Sequence, residues 1–177
     1  MIKANNLCLR VVKEKDLALL YMQFTNPNVR GDFYSPVFIP EKKFYDEFAQ
    51  HGFWTDDSKR MAIVDHDDFL IGMIHVFKAN IYSDCIELSY IMLDPHSRNK
   101  GFMTQALKAC VCYLFESTRS VRIQLTMPNL HKASIRVAEK SGFKKEGLMR
   151  RALLLNGQDH DLLMYAIIKE DWSKDEA

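Results

Sequence analysis

The segment with the clearest chemical potential is RNKGFM, residues 98–103, which joins a predicted strand to a predicted helix. The first N–H groups of a helix have no partner inside the helix, and the helix dipole adds positive potential there, so such a junction can bind phosphate. Gly101 would let the backbone approach a ligand closely, and Arg98 and Lys100 would add positive charge. The segment therefore predicts a pyrophosphate site, although many proteins have a basic residue and a glycine at a helix start without binding phosphate.

The elements that position this segment follow from the spacing of the apolar residues, which alternate in strands and recur every three or four positions in helices. The predicted strands are 7–12, two that flank the turn 65–68, 86–93, 121–127, and two near 143–150 and 162–168. The predicted helices are 14–24, 41–50, a long helix that begins near Gly101, and 131–140. This order predicts an α/β (α+β) fold with about seven strands and about four helices.

Alternation also predicts which side chains share a face of two strands. In 86–93, Ile86, Leu88, Tyr90 and Met92 point to one face, and Glu87, Ser89 and Ile91 to the other. In 121–127, Val121, Ile123, Leu125 and Met127 are predicted to point inward.

Length and composition restrict the function classes. A chain of 177 residues with 47% hydrophobic and 27% charged residues is typical of one globular domain, here 1–177. A formal charge of +1, without a long run of Lys or Arg, argues against a nucleic acid or a membrane as partner. Four scattered cysteines without CxxC spacing are interpreted as reduced, buried thiols, which predicts a cytoplasmic protein without a signal peptide or membrane anchor.

Four segments resemble the GNAT N-acetyltransferases, in particular the branch of RimJ/RimL type that acetylates the N-termini of ribosomal proteins. IELSYIMLDPHSRNKGFMTQAL (86–107) contains the counterpart of the family's coenzyme A loop, Q/R-x-x-G-x-G/A, and KASIRVAEKSGF (132–143) is similar to N-x-A-S-x-R-V-x-E-K-x-G-F. The opening LCLRVVKEKDL (7–17) and the tail EGLMRRALLLNGQDHDLLMYAI (146–167) complete the resemblance. It implies a GNAT fold with a mixed, mostly antiparallel sheet that splays at the coenzyme site.

The resemblance implies acetyl-CoA as the cosubstrate and an amine as the acceptor. The implied coenzyme contacts are Ile91, Met92, Leu93, Arg98, Asn99, Lys100, Gly101, Phe102, Met103, Thr104, Asn129, His131 and Ser134. The backbone N–H groups of residues 91–93 are expected to hold the pantetheine arm and to offer a donor to the thioester oxygen. The resemblance also allows a homodimer through exposed strand edges.

Two residues are the implied catalytic groups. Glu87 is the candidate base, because an alkyl ammonium with a pKa of roughly 10 must lose a proton before it can attack. The alternative is a partly exposed strand carboxylate beside a Lys or Arg. Ser134 is the candidate that donates to the leaving thiolate, and its alternative is a hydroxyl that bonds the backbone near a helix start. His75, His160 and Tyr165 are weaker candidates for these roles.

The chain departs from the family's pattern at five positions. Ser89 replaces a glycine, Met103 replaces a small residue of the loop, and His131 replaces an asparagine. Leu153 stands where ribosomal-protein enzymes of this branch are thought to have a catalytic Glu, and Ala138 stands where many relatives have a tyrosine that serves the leaving group.

These departures leave two function classes open. One is an active N-acetyltransferase that acts on a protein N-terminus, a polyamine or another small amine; the other is a coenzyme A-binding module or sensor with little turnover.

The aromatic segment 32–38 is expected to wall the acceptor pocket. The two Asp/His clusters, 65–68 and 159–161, are interpreted as a turn and a strand start, because consecutive side chains diverge, and no metal is expected.

Overall fold

The computed structural model of the protein describes residues 1–34 and 38–172, which form eight strands and five α-helices. The strands are β1 (Ile2–Ala4), β2 (Leu7–Val11), β3 (Ser58–Val64), β4 (Leu70–Lys78), β5 (Ile86–Met92), β6 (Arg122–Pro128), β7 (Lys144–Leu155) and β8 (Gln158–Ile168). The helices are α1 (Leu17–Thr25), α2 (Pro27–Arg30), α3 (Glu41–His51), α4 (Phe102–Ser117) and α5 (Lys132–Lys140). Short 3-10 turns, Glu14–Asp16 and Pro95–Ser97, precede α1 and α4.

All the strands belong to one sheet with the order β1-β2-β3-β4-β5-β6-β8-β7. Neighbouring strands are antiparallel except for β5 and β6, which are parallel. These two strands pair at only two positions, Ile86 with Ile123 and Glu87 with Gln124, and then diverge. The fold class and the splay that the resemblance implied are therefore confirmed.

Helices cover both faces of the sheet. The buried side of α4, which includes Leu107, Val111 and Phe115, packs with Leu88, Ile123 and other strand residues on one face. On the other face, Leu20 of α1 and Phe44 of α3 pack in a second apolar cluster against β3, β4 and β5. Side chains of β5 pack in both clusters, from alternating positions along the strand. Side chains on both faces of the sheet therefore lie next to the place where β5 separates from β6.

Local sequence signals explain where α4 begins and where α3 begins and ends. Gly101 precedes α4 with φ 78°, a left-handed conformation that glycine adopts at little cost. Pro40 precedes α3, and Gly52 ends it with φ 62°. Among the described residues, no helix is both long and apolar enough to cross a lipid bilayer.

The structure corrects several details of the sequence prediction. It adds the short strand β1 and the one-turn helix α2, and it extends both strands of the last hairpin. The inward position predicted for Val121 is wrong, because this residue precedes β6 and its side chain is 62% exposed. Ile123, Leu125 and Met127 are buried as predicted.

Candidate active site

A cleft of about 780 Å³ opens where β5 and β6 diverge. Tyr90 and Ser134 reach it on the face of the sheet that α4 and α5 cover. Ser89 and Thr126 also line the cleft, and alternation along β5 and β6 puts their side chains on the opposite face of the sheet. The cleft therefore offers polar groups on both sides of the opening between the strands.

The loop that leads into α4 has the geometry expected of an anion site. Asp94 accepts a hydrogen bond from the N–H of His96 at 3.0 Å and thereby shapes the turn before the loop. Asn99 and Gly101 both have positive φ, and no heavy atom lies within 4 Å of the position that a Cβ would take at Gly101. The first residues of this 16-residue helix line the cleft, and their N–H groups have no acceptor inside the helix.

Most of the predicted coenzyme contacts line this cleft: Ile91, Met92, Arg98, Asn99, Gly101, Phe102, Met103, Thr104, His131 and Ser134. Leu93, Lys100 and Asn129 do not line it. The Leu93 N–H donates to the Ile71 carbonyl at 3.0 Å, so this donor has a backbone partner in the structure, and its expected role toward the thioester stays a prediction. Lys100 is an exposed residue of the loop, and the backbone N–H of Asn129 donates to the Asp161 carbonyl at 3.1 Å.

Arg98 has a structural contact that the sequence did not indicate. One terminal nitrogen, Nη2, donates to the Met92 carbonyl at 3.2 Å and lies 3.4 Å from the Val29 carbonyl. It thus links α2 to the end of β5 while its side chain lines the cleft. The Nη2 donor of Arg98 is therefore occupied by backbone carbonyls of α2 and β5, and it stabilises the position of these two elements relative to each other.

His131 lies at the start of α5 and contacts both the helix and a loop across the cleft. Its Nδ1 atom accepts from the Ser134 N–H at 3.4 Å, and its ring stacks on Phe33 at 4.2 Å between centroids. Burial lowers the pKa of His131. Because Nδ1 accepts the hydrogen bond from the Ser134 N–H, the imidazole caps the start of α5.

Tyr90 is a cleft residue to which the sequence analysis assigned no role. Its hydroxyl lies 2.8 Å from Ser134 Oγ and donates to the Ser134 carbonyl at 3.2 Å. Burial raises the pKa of Tyr90 to about 12, while the Ser134 hydrogen bond lowers it to a smaller extent. The signal that was present is the alternation of 86–93, which predicts a phenol on one face of the strand, but the sequence gives no indication that α5 lies over it.

Glu87 does not line the cleft but is connected to it through one hydroxyl. Gln124 Nε2 donates to Glu87 Oε2 at 2.9 Å, and Thr126 Oγ1 donates to Glu87 Oε1 at 2.8 Å. Thr126 itself lines the cleft. The Lys or Arg neighbour considered as the alternative is therefore not what holds this carboxylate; its hydrogen-bond partners come from β6.

The weaker catalytic candidates all lie outside the cleft lining. His75 Nε2 lies 2.8 Å from Ser58 Oγ, and burial, followed by the charge of Arg60, lowers its pKa to about 4. Tyr165 donates to Glu139 at 3.1 Å, and His160 pairs with Leu153 in the last hairpin. None of these side chains is positioned to exchange a proton directly with a ligand in the cleft.

Two arginines near the loop at 31–34 have nitrogen atoms without hydrogen-bond partners. Within the described ranges, Arg30 Nε and Arg60 Nη1 are buried and unpaired. Arg30 lines the cleft, and Arg60 lies over the Phe53 ring, 3.5 Å from Glu47 and in electrostatic range of Tyr34, another cleft residue. The predicted acceptor wall 32–38 is thus described in part, since 35–37 lie outside the described residues.

The charge of the cleft fits the group that the resemblance implies. Arg98, Arg136 and Lys140 line it together with Arg30, whereas Asp32 is the one carboxylate of the lining within the described ranges. Coenzyme A contains a diphosphate and a further phosphate, so an excess of cations and an open helix N-terminus are the features required to bind it. The described residues contain no group of three or more His, Cys, Asp or Glu arranged to bind a metal ion.

The chain is similar in sequence to proteins named as N-acetyltransferases. The probable N-acetyltransferase YjcK of Bacillus subtilis (strain 168) is 36% identical over 109 residues, which are 59% of this chain and 58% of that protein. The spermidine N(1)-acetyltransferase of Escherichia coli (strain K12) is 24% identical over 175 residues, 97% of this chain and 91% of that protein. The match to YjcK therefore spans less than two thirds of that relative's length.

Solved structures agree in fold. The spermidine N-acetyltransferase from Vibrio cholerae in complex with CoA and spermine superposes with a TM-score of 0.82 at 20% identity, covering 94% of this chain and 97% of that chain. The ribosomal-protein-S5-alanine acetyltransferase from Vibrio fischeri gives a TM-score of 0.77 at 18% identity, covering 97% of each. Residues 6–144 match the family model described as an acetyltransferase (GNAT) domain. The chain belongs to the GNAT acetyltransferase family, in its branch of RimJ/RimL type.

Proposed function

We propose that the protein moves the acetyl group of acetyl-CoA onto a primary amine by direct attack, and that the amine is the amino terminus of a peptide or protein. The observation that carries this proposal is the opening between β5 and β6, which connects polar groups on both faces of the sheet. The bound donor would supply a thioester carbonyl activated for acyl transfer. The remaining steps belong to residues of the chain.

The N-terminus of α4 would hold the diphosphate. Its unpaired N–H groups and the cations Arg98, Arg136 and Lys140 provide donors and positive charge along one side of the cleft. The proposed contacts of Ile91, Met92 and the loop 98–104 position the pantetheine arm in the opening, where proximity alone supplies much of the acceleration. His131 holds the start of α5 and, through that helix, Ser134.

Proton removal would use Thr126 and Glu87 in sequence. Thr126 lines the cleft and its hydroxyl donates to Glu87, so the hydroxyl would accept a proton from the amine, directly or through a water, while passing its own to the carboxylate. On the opposite face, the Ser134 hydroxyl would donate a hydrogen bond to the sulfur as the C–S bond breaks. The chain thus provides a base pathway and a thiolate donor from different elements.

Charge favours a peptide amino terminus over a polyamine. The guanidinium of Arg30, which lines the cleft and has an unpaired Nε, would repel a polycation, but it suits an acceptor whose carbonyl or carboxylate oxygens lie close to its amine. An α-amino group also has a pKa of about 7.7–8.0, against about 10.4 for an alkyl amine, so a far larger fraction is already neutral at pH 7. A carboxylate that acts only through Thr126 is sufficient for such an amine.

A thiol-release assay with matched acceptors tests the proposal. The panel contains a short peptide with a free amino terminus and one lysine, the same peptide acetylated at its amino terminus, spermidine and an amino sugar. We expect turnover with the first peptide and little with the second. Arg30→Met should reduce the preference for the first peptide over spermidine, whereas the exposed Arg150→Met should leave the preference unchanged. Preference for spermidine would refute the acceptor class, and coenzyme A binding without thiol release from any amine would favour the binding module.

A further inference from the structure

Two hydroxyl groups meet across the cleft, one from a strand and one from a helix. The Tyr90 hydroxyl of β5 lies 2.8 Å from Ser134 Oγ in the first turn of α5, and 3.2 Å from the Ser134 carbonyl oxygen. Tyr90 lies beyond the last position at which β5 pairs with β6, so its side chain borders the opening between the strands. Both residues line the cleft in which the sulfur of coenzyme A is proposed to lie.

The two hydroxyl hydrogens can be arranged in two ways, because either oxygen can be the donor across the 2.8 Å contact. In the closed arrangement, Ser134 donates to Tyr90, and Tyr90 donates to the Ser134 carbonyl. In the open arrangement, Tyr90 donates to Ser134 Oγ, and the hydrogen of Ser134 is directed into the cleft. Only the open arrangement offers a hydrogen bond to a ligand.

The open arrangement also makes Ser134 a better donor, since a hydroxyl that accepts one hydrogen bond is polarised toward giving another. Tyr90 keeps its own hydrogen throughout, because burial raises its pKa to about 12, well above the pKa of about 8.5 of an alkyl thiol. The phenol therefore acts as a fixed donor to Ser134 rather than as an acid.

We propose that Tyr90 is a positioning residue that directs the Ser134 hydroxyl at the sulfur of bound coenzyme A. This inference rests on the proposed function, which puts the thiol beside Ser134. As the C–S bond breaks, its electron pair stays on sulfur and the new thiolate accepts a hydrogen bond from Ser134. No proton leaves Tyr90, and the proton of the amine departs by the separate pathway through Thr126 and Glu87 or to solvent.

The test compares the binding of coenzyme A with that of desulfo-coenzyme A, which has a hydrogen in place of the thiol. If Ser134 stabilises the thiolate by about one pKa unit, the preference of the wild-type protein for coenzyme A should grow about fivefold between pH 7 and pH 9. Apart from Tyr90 itself, the charged and titratable groups that line the cleft are Arg30, Asp32, Tyr34, Arg98, His131, Arg136 and Lys140. Their own titration affects both ligands alike, and their attraction for the thiolate is the same in the wild-type and variant proteins, so the comparison between proteins isolates the hydroxyl pair.

Calorimetry on Tyr90→Phe, Ser134→Ala and the double variant gives the decisive comparison. We expect each single variant to reduce the growth of the ratio to less than twofold, with unchanged affinity for desulfo-coenzyme A, and the double variant to lose no more. In turnover, Tyr90→Phe should lower kcat about tenfold without changing the KM for acetyl-CoA. Circular dichroism on the same samples checks that each variant is folded.

Two results would overturn the inference. One is a Tyr90→Phe protein that keeps the full pH-dependent preference for coenzyme A, and the other is an equal loss of affinity for both ligands, which is the effect of a side chain that only packs. Failure of the wild-type protein to bind either ligand is a different outcome, because it would contradict the coenzyme site itself.

Discussion

The substitution of Gly101 by Asp, compared with Asn, isolates the charge requirement of the proposed phosphate site. Gly101 has φ 78°, where any residue with a Cβ is strained, but Asn and Asp have the same shape and tolerate this conformation about equally. No atom lies within 4 Å of the position of an added Cβ, so neither side chain displaces a neighbour. The backbone cost therefore cancels between the two variants, and their difference reports the added negative charge.

The size of that difference follows from Coulomb's law. One charge at about 6 Å from a diphosphate with about two charges, at the high effective dielectric constant of an exposed loop, costs about 1–2 kcal/mol. This corresponds to a dissociation constant for coenzyme A that is about five- to thirtyfold higher in Gly101→Asp than in Gly101→Asn. Because salt screens exposed charges, the factor should fall to about twofold or less in 1 M NaCl.

Calorimetry with coenzyme A and with pantetheine measures this effect. Pantetheine lacks the phosphates, so both variants should bind it equally. Equal affinity of the two variants for coenzyme A at low salt would refute the assignment of the diphosphate to the start of α4. An equal loss of pantetheine binding in Gly101→Asp would show instead that the substitution disturbs the cleft.

Three further predictions concern proton transfer and stability. Glu87→Gln should lower kcat at pH 7 and recover part of it at high pH, where more amine is neutral; an unchanged pH–rate profile would remove Glu87 as the base. Because the pKa of His75 is lowered to about 4, the unfolded chain binds more protons below pH 6.5, and stability should fall by about 2 kcal/mol between pH 7 and pH 4.5 in urea titrations, less so in His75→Gln but equally in the exposed His51→Gln. Asp16→Asn removes from buried Arg10 the carboxylate at 2.6 Å and leaves Asp68 as its remaining acidic partner, so it should cost about 2–3 kcal/mol in the same titrations, against less than 1 kcal/mol for Asp46→Asn in the exposed pair with Lys42.

The long periodic elements could be predicted from the sequence because each carries its own signal. The apolar spacing of α4 and the glycine before it predict both the helix and its start, and the alternation of β5 predicts its two faces. The elements that were missed have weak or contrary signals. β1 has three residues, none of them buried. α2 is a single turn, and its Asn26 cap and Pro27 start are equally typical of a non-helical turn that follows α1.

The last hairpin was predicted too short for a different reason. Register shifts between Lys145 and Gly147 and between Met149 and Leu153 interrupt the alternation of β7, and Arg151 has φ 51° at the second of them. A strand with extra residues changes which face its later side chains occupy, so its period cannot be followed in the sequence. The strand continues to Leu155 nonetheless, because β8 pairs with it on both sides of the irregularity.

The edge strand β7 is also where a homodimer would form in the arrangement that the resemblance allows. Leu148, Met149 and Leu154 are exposed on it, at 50%, 41% and 66% of their surface. These apolar side chains are compatible with a covered edge, but they do not identify what covers it. The homodimer therefore stays a prediction.

The site itself was predictable only where it is local in sequence. The loop 98–104 is contiguous and was assigned from its residue types, whereas the rest of the cleft lining needed the fold to bring it beside the loop. The contact between Tyr90 and Ser134 joins residues 44 positions apart, and the path from Glu87 to Thr126 joins residues 39 apart. Alternation predicts the face of a strand but not which element lies over it, so neither pair follows from the sequence.

The alternation of β5 nevertheless has a consequence for the proposed reaction. Glu87 and Tyr90 are three positions apart, so their side chains lie on opposite faces of the sheet. Direct transfer requires the amine to approach the carbonyl carbon from one side and the sulfur to leave toward another. The proposed base pathway therefore lies on the face of Glu87 and Thr126, and the proposed thiolate donor on the face of Tyr90 and Ser134. Because β5 leaves β6 after two paired positions, the opening between the strands gives a ligand access to both proposed sites.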